Sequence, residues 1–235
     1  IEHGSLFFCL SQNEDVGRAH AAYQPEIFGV RPDIVIDVDG DSYDRFSVAN
    51  FTAECYTYSF KGNKAHPSHG LENRYADALS ASCTFVGLIP PTLHPSSSSG
   101  TSGYIHCYYM KQPVDSTGHT IDTDYEIRVR LRYFSEKDGE YQRKLLEENL
   151  KKIKDSFPFV EVTSTSAVLQ YRNVANSMAK YVPALVQKAA YDAGMEIKPE
   201  YSRAGSTSSM LLTKFPDAMP GGTCIYSGQN AEHSV

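Results

Sequence analysis

The sequence predicts an α/β protein whose sheet is interrupted, midway along the chain, by a separate α+β segment. Three observations predict it. The β-branched run Ile34-Val35-Ile36 ends in Asp37-Val38-Asp39-Gly40-Asp41, the way a buried strand of an α/β sheet ends. Further on, Tyr125, Ile127, Val129, Leu131 and Tyr133 alternate with Glu126, Arg128, Arg130 and Arg132, which marks a sheet with one core face and one wet face. Beyond about residue 170 the helix and strand signals of the first kind resume.

Composition narrows the function classes. The 235 residues are 41% apolar and 21% charged, the proportions of an ordinary globular chain. A net charge of −6, with no basic block, argues against a dedicated nucleic-acid binder, whose footprint is a clustered cationic face. No apolar run reaches the roughly 18–20 residues a membrane-spanning helix needs. The five cysteines (Cys9, Cys55, Cys83, Cys107, Cys224) include no C-x-x-C pair, and so sparse and odd a count predicts a reduced, cytoplasmic protein without a disulfide framework. The chain begins Ile1-Glu2-His3-Gly4, enters an apolar stretch at once and ends in the polar Gln229–Val235, which reads as a segment of something longer.

The elements follow in order. An apolar run at 5–10 predicts a strand, residues 18–23 a short helix, and 34–36 a strand closed by the acids and glycine. From about residue 48 a strand at 51–60 precedes a helix with Leu71, Tyr75, Ala78, Leu79, Ser82 and Val86 on one stripe. Pro90, Pro91, Pro95 and Ser96–Ser99 predict a loop. Strands at 104–111 and 125–133 come next, then a helix at 137–156 whose stripe is Tyr141, Leu145, Leu146, Leu150, Ile153 and Phe157, then a strand at 159–166. The order β-α-β-β-α-β is that of ferredoxin-like domains. The segment 48–170 is therefore expected to be an inserted domain, with 1–47 and 171–235 as the two parts of the sheet domain it interrupts. The second part holds a helix with Pro183 in its first turn and Gly194 past its end, a strand at 197–201, a short helix after Ser206 and a strand at 223–227.

Ligands of open α/β sheets bind beyond the carboxyl ends of strands, and Glu14-Asp15 and Asp39 both fall at such ends. Each has an ordinary reading, a helix cap for the pair and a strand-end turn for Asp39-Gly40. His233, in a loop, is by default an exposed histidine. Together, an acid pair, a strand-end aspartate and a loop histidine form a hard and borderline donor set of the kind hydrolytic zinc sites use. The remaining histidines (His3, His20, His69, His94, His106, His119) have no metal-like spacing. The arginines of 128–132 and the charges from Arg143 to Lys154 are expected on solvated faces.

At this point the residues resemble a known family. Ser11-Gln12-Asn13-Glu14-Asp15-Val16-Gly17, Val38-Asp39-Gly40, Gly62-Asn63-Lys64-Ala65-His66-Pro67, Tyr104-Ile105-His106 with Met110-Lys111, Arg203-Ala204-Gly205 and the terminal His233-Ser234 look like successive landmarks of the M20 metallopeptidases, in their peptidase T (tripeptide aminopeptidase) branch. The resemblance implies parts of a zinc-exopeptidase catalytic domain of phosphorylase/hydrolase-like α/β fold, with an inserted ferredoxin-like domain that dimerises and closes over the site as a lid. It implies a cytoplasmic homodimeric enzyme, with two zinc ions per site, that removes the N-terminal residue of short peptides by attack of metal-activated water.

By position, Glu14 corresponds to the general base, Asp15 and His233 to ligands of one metal and Asp39 to a ligand of the other. His66 corresponds to a lid histidine that meets the substrate and steadies the oxyanion. Arg203 corresponds to a position just before the Gly-rich turn and is the candidate for gripping a substrate carboxylate, which a planar guanidinium does with two parallel hydrogen bonds. The chain departs from the pattern in carrying Glu-Asp where the family has Glu-Glu, and Arg203-Ala204-Gly205-Ser206-Thr207-Ser208 where it has Arg-Gly-Gly-Thr-Asp-Gly. The family's His-x-Asp motif and bridging aspartate would precede Ile1, so this segment is expected to be inactive alone. The alternative from another class is a non-catalytic dimerisation or binding module, or a metal-free inactive homologue.

Overall fold

The computed structural model describes residues 4–8, 33–37, 44–119 and 121–215, together with the backbone of 222–225. The chain divides into two compact units, Ile1–Phe51 with Gln170–Val235, and Thr52–Leu169.

The central unit begins with β3 (Thr52–Lys61), which follows the outer unit's strands β1 (Val35–Asp37) and β2 (Arg45–Asn50) in the chain. It continues through α1 (Ala78–Gly87), β4 (Tyr104–Lys111), β5 (Tyr125–Tyr133), α2 (Glu136–Ser156) and β6 (Glu161–Ser164). These four strands lie in the antiparallel order β4-β5-β3-β6, the path of a five-stranded sheet whose remaining strand, β7 (Val168–Tyr171), pairs with β3 off that path. The two strands central to the path are first and third in the chain, as in the ferredoxin-like arrangement. Both helices pack on one face, α1 against β3 and β5, α2 against β5 and β6.

Period-2 alternation sets which side chains meet them. Ile127, Val129, Leu131 and Tyr133 from β5 join Tyr58 and Phe60 from β3, Phe85 from α1 and Leu146 and Ile153 from α2 in one continuous core. Ser135 starts α2, its hydroxyl accepting from the Asp138 amide (3.2 Å), with Glu136 and Asp138 in the first turn facing the positive end of the helix dipole.

Two sequence expectations change here. The helix expected from Leu71 starts only at Ala78, because Asp77 caps it by accepting from the Ser80 amide (2.9 Å) and Arg74 takes a left-handed backbone (φ 49°) that no helix continues through. Leu71 is 83% exposed. The face of β5 opposite the helices is not simply wet either. Arg132 is buried, and the guanidinium carbons of Arg130 and Arg128 lie 4.0 and 4.6 Å from the ring centroids of Tyr108 and Tyr109 on the neighbouring strand. Stacking on tyrosines leaves Arg128 and Arg130 only half-exposed where alternation alone assigned them to water.

The outer unit contains β1 and β2. Beyond β7 (Val168–Tyr171), which spans the division between the units, come α3 (Val182–Asp192), β8 (Lys198–Ser202), α4 (Thr207–Lys214) and β9 (Gly222–Ile225). Its sheet runs β1-β9-β2-β8, with β1 parallel to β9, β2 antiparallel to β9 and β2 parallel to β8. Val35 packs with Leu211 and Leu212 of α4, while Ile34 packs with Phe46 and with Val182 and Val186 of α3, so successive residues serve different helices. Pro183 occupies the first turn of α3, where no amide partner is needed, and Gly194 follows its end at φ 76°. Of the strand expected at 5–10, the described residues 5–8 lie outside any ladder; the rest of it and the helix expected at 18–23 lie outside the described residues.

Candidate functional site

Each unit carries one described candidate side chain, and each is built by its local sequence. In the central unit, β3 runs into Gly62-Asn63-Lys64-Ala65-His66-Pro67. Gly62 is required by space, since a Cβ there would stand 2.4 Å from the Thr123 carbonyl and 2.8 Å from that of Ala76. Its amide donates to Asp124 Oδ1 at 3.1 Å. The Asn63 side chain holds the rest of the loop, donating to the Arg74 carbonyl (2.8 Å) and accepting from the amides of Ala65 (3.3 Å) and Ala76 (3.1 Å).

His66 emerges from this brace exposed, as the cap of the short turn Pro67–His69. Its Nδ1 accepts from the Ser68 amide at 3.3 Å and lies 2.7 Å from the Ser68 hydroxyl. A backbone N–H only donates, so in the neutral imidazole the proton sits on Nε2. Local hydrogen bonding thus fixes the tautomer and leaves Nε2–H as a donor on the far side of the ring. That is the arrangement needed to hydrogen-bond a substrate oxygen that gains negative charge.

Arg203 lies in the outer unit, in the turn Ser202–Ser206 between β8 and α4. Its guanidinium carbon is 4.9 Å from the centroid of the buried Phe51 ring. A stacked guanidinium engages the aromatic through its face while its N–H donors lie in its plane. Gly205 is again a matter of space, because a Cβ would come within 2.5 Å of the Tyr171 ring. Of the two glycines the family pattern has in this turn, the chain keeps the one that packing requires.

The remaining candidates, Glu14, Asp15, Asp39 and His233, lie outside the described residues. Among the described residues, no group of three or more His, Cys, Asp and Glu side chains could hold a metal ion. None of the histidines expected to be uninvolved that are described gathers such a group either. The His69 side chain lies 3.3 Å from Glu72, and that of His119 lies 2.7 Å from Thr117 and 4.0 Å from Asp115.

Sequence reasoning missed one buried polar cluster. Glu54, on β3, is nearly fully buried and accepts from Tyr133 Oη (2.5 Å), Tyr56 Oη (3.0 Å) and Arg143 Nη1 (2.7 Å). Arg143 also pairs with Glu136. Its guanidinium pKa is raised: burial works against the charge, and hydrogen bonds to Glu136 and Tyr133 together with the Glu54 carboxylate outweigh it. The phenols of Tyr56 and Tyr133 are pushed up, first by burial and then by Glu54. The available signal was a lone Glu at an inward position of an apolar strand, which requires a cation to face it. The cluster ties α2 to β3 and β5.

Comparisons with known proteins find this architecture, an α/β unit interrupted by a ferredoxin-like unit, in solved peptidase structures. The chain superposes on the aminopeptidase PepT of Bacillus cereus with a TM-score of 0.69 (14% identity, 94% of this chain, 55% of that one). On a tripeptidase of Staphylococcus aureus the TM-score is 0.72 (13% identity, 94% and 55%). A Bacillus subtilis protein described as a dinuclear metal-binding peptidase of the M20 family gives 0.56 (10% identity, 86% and 49%). At these identities the likeness is one of fold.

Sequence carries the relation further, to peptidase T. The chain is 27% identical over 231 residues to the peptidase T of Desulfitobacterium hafniense strain DCB-2, covering 94% of this chain and 52% of the relative. It is 26% identical over 203 residues to that of Clostridium acetobutylicum, covering 85% and 46%. The chain therefore spans about half the length of the curated relatives it matches. No protein-family model matches it.

Proposed function

We propose that this chain is part of a zinc-dependent aminopeptidase that removes the N-terminal residue of short peptides, tripeptides foremost. The observation that carries the reading is the 27% identity to a peptidase T over 94% of the chain. His66, with its tautomer set by Ser68, supports it independently.

The donor set Asp15, Asp39 and His233 fits zinc by its chemistry, since carboxylate oxygen and imidazole nitrogen are ligands that borderline ion takes. Asp39 would serve one ion, Asp15 and His233 the other. Zinc, when bound, lowers the pKa of a coordinated water to about 7 and polarises a carbonyl. The chain's own residues do the rest. Glu14 accepts a proton from the attacking water and returns it to the leaving amine, a shuttle that contributes about 10²–10⁴-fold. Nε2–H of His66 donates to the carbonyl oxygen as it becomes an oxyanion. Arg203 holds the substrate's terminal carboxylate and so fixes which bond is presented. The Thr52–Leu169 unit is the proposed lid and the proposed homodimer contact.

The test is Glu14→Gln in the intact protein. We expect loss of tripeptide turnover by at least about a hundredfold with the bound metal content unchanged. Full activity in the variant would overturn the assignment of the base. Metal analysis of the same preparations separates a peptidase from a metal-free binding module, for which zinc content would be near zero.

A further inference from the structure

The first turn of α4 contains no acid of its own. Helix N-termini leave backbone N–H groups without intrahelical partners, and negative charge nearby is stabilising. Two of these donors are met from within the turn's own sequence in a capping box. Ser206 Oγ accepts from the Ser209 amide (3.2 Å), and Ser209 Oγ accepts from the Ser206 amide (2.8 Å). The Ser208 amide between them is met from far away in the chain, by Asp37 Oδ2 at 3.3 Å. Ser208 is fully buried, so water does not replace this acceptor.

We infer that Asp37 is a positioning residue for Arg203. Asp37 is the last residue of β1, and α4 begins directly after the turn Ser202–Ser206 that carries Arg203. The turn is held at its start by Ser202 Oγ, which accepts from the Ala204 amide (3.2 Å), and at its middle by the Tyr171 ring over Gly205. Its downstream end is the α4 N-terminus, and Asp37 is the carboxylate that ties this end to the sheet. Without the tie, α4 can rotate or fray by part of a turn at Thr207–Ser208, and the error passes through three residues to the guanidinium. A bidentate grip on a carboxylate tolerates little angular error, so substrate binding suffers before chemistry does.

The inference rests on the proposed role of Arg203 as a carboxylate-binding residue, and its test keeps the two apart. Steady-state kinetics of the intact enzyme are measured on a tripeptide and on the same tripeptide with an amidated C-terminus. Asp37→Ala is expected to raise KM for the free acid about tenfold, the effect of losing one hydrogen bond to a charged group, with kcat within about twofold and the amide substrate unaffected. Asp37→Asn keeps an acceptor oxygen at the same place and should recover most of the loss. Arg203→Met, measured in parallel, should mimic the same selective effect.

If Arg203→Met is selective for the free acid and Asp37→Ala is not, the role of Asp37 is overturned while that of Arg203 stands. If Arg203→Met affects both substrates alike, the reading of Arg203 fails. Hydrogen exchange at the Ser208 amide then decides the tie by itself: acceleration of about tenfold or more in Asp37→Ala, beyond that of the rest of α4, supports it, and an unchanged rate overturns it.

Discussion

At the scale of single residues, Glu54 carries the strongest expectation. Its carboxylate receives three hydrogen bonds, two from phenols and one from Arg143, in a site nearly closed to water. Breaking such a set leaves polar groups buried without their charge partner, which costs more than the net worth of the intact bonds. Glu54→Gln keeps the shape and removes the charge, and it should lower stability by about 2 kcal/mol, within the range for hydrogen bonds to charged groups. Urea unfolding followed by circular dichroism checks it, with a lower midpoint at an unchanged slope as the expected result. A midpoint within error of the wild type would show that Arg143 is satisfied by Glu136 alone. That the charges from Arg143 to Lys154 do not form one solvated face was not legible in helix periodicity, because the pattern describes the stripe and not which cation at its border reaches inward. Individual site residues were legible as types at strand ends and in loops. Their partners, such as Ser68 beside His66 and Phe51 beneath Arg203, depend on backbone conformation and tertiary packing that the linear pattern does not encode.

At the scale of elements, long strands and helices with many periods were readable. β4 and β5 fall at the expected 104–111 and 125–133, and α2 begins one residue before the expected 137. α1 was not readable in length, since a cap and a left-handed residue ended it from the front and both are conformational facts. The face of β5 away from the helices gives a pH prediction. His106, on β4 opposite Arg130, has its imidazole pKa lowered, first by partial burial and then by the charges of Arg130 and Arg132. Around it stand those two arginines, the Tyr108 ring (6.0 Å between centroids) and, on β3, Cys55, whose Sγ lies 3.2 Å from Tyr108 Oη. The only carboxylate registered on this part of β5, Glu126, pairs with Arg128. The folded state therefore binds fewer protons at His106 than the unfolded state, whose imidazole titrates near pH 6.5. Stability contributed by keeping the ring neutral is fully present above about pH 6.5 and declines as the pH falls below it toward the lowered folded value. His106→Gln should flatten the fall in unfolding midpoint between about pH 7 and 5, while a variant with the wild-type slope would place the titration elsewhere.

At the scale of the whole molecule, the order in which the chain uses its elements carries the argument. A ferredoxin-like unit whose four principal strands and two helices all lie between Thr52 and Leu169 has its core residues and the partners of its four-strand path inside that span, and the further partner of β3, β7, ends two residues beyond it at Tyr171. Its core draws on β3, α1, β4, β5, α2 and β6 alike, so no missing piece leaves a hole. The outer unit differs: β1 and β2 precede the insertion, while their ladder partners β8 and β9 follow it. Excision of residues 52–171, which keeps β7 whole, should therefore give a protein that folds alone, since a segment of about 120 residues buries enough surface to offset its chain entropy. The expected result is a native circular dichroism spectrum, structured near-ultraviolet signals from the buried tyrosines and a single cooperative urea transition. An excised segment that binds hydrophobic dye strongly and melts without a transition would mean that the unit depends on its flanks. The same independence explains why a β-α-β-β-α-β pattern could be recognised within a longer α/β chain from sequence alone. A unit that folds by itself must carry all of its own periodicities in one stretch, whereas a sheet assembled from two distant segments shows in each only half of the pattern that holds it together.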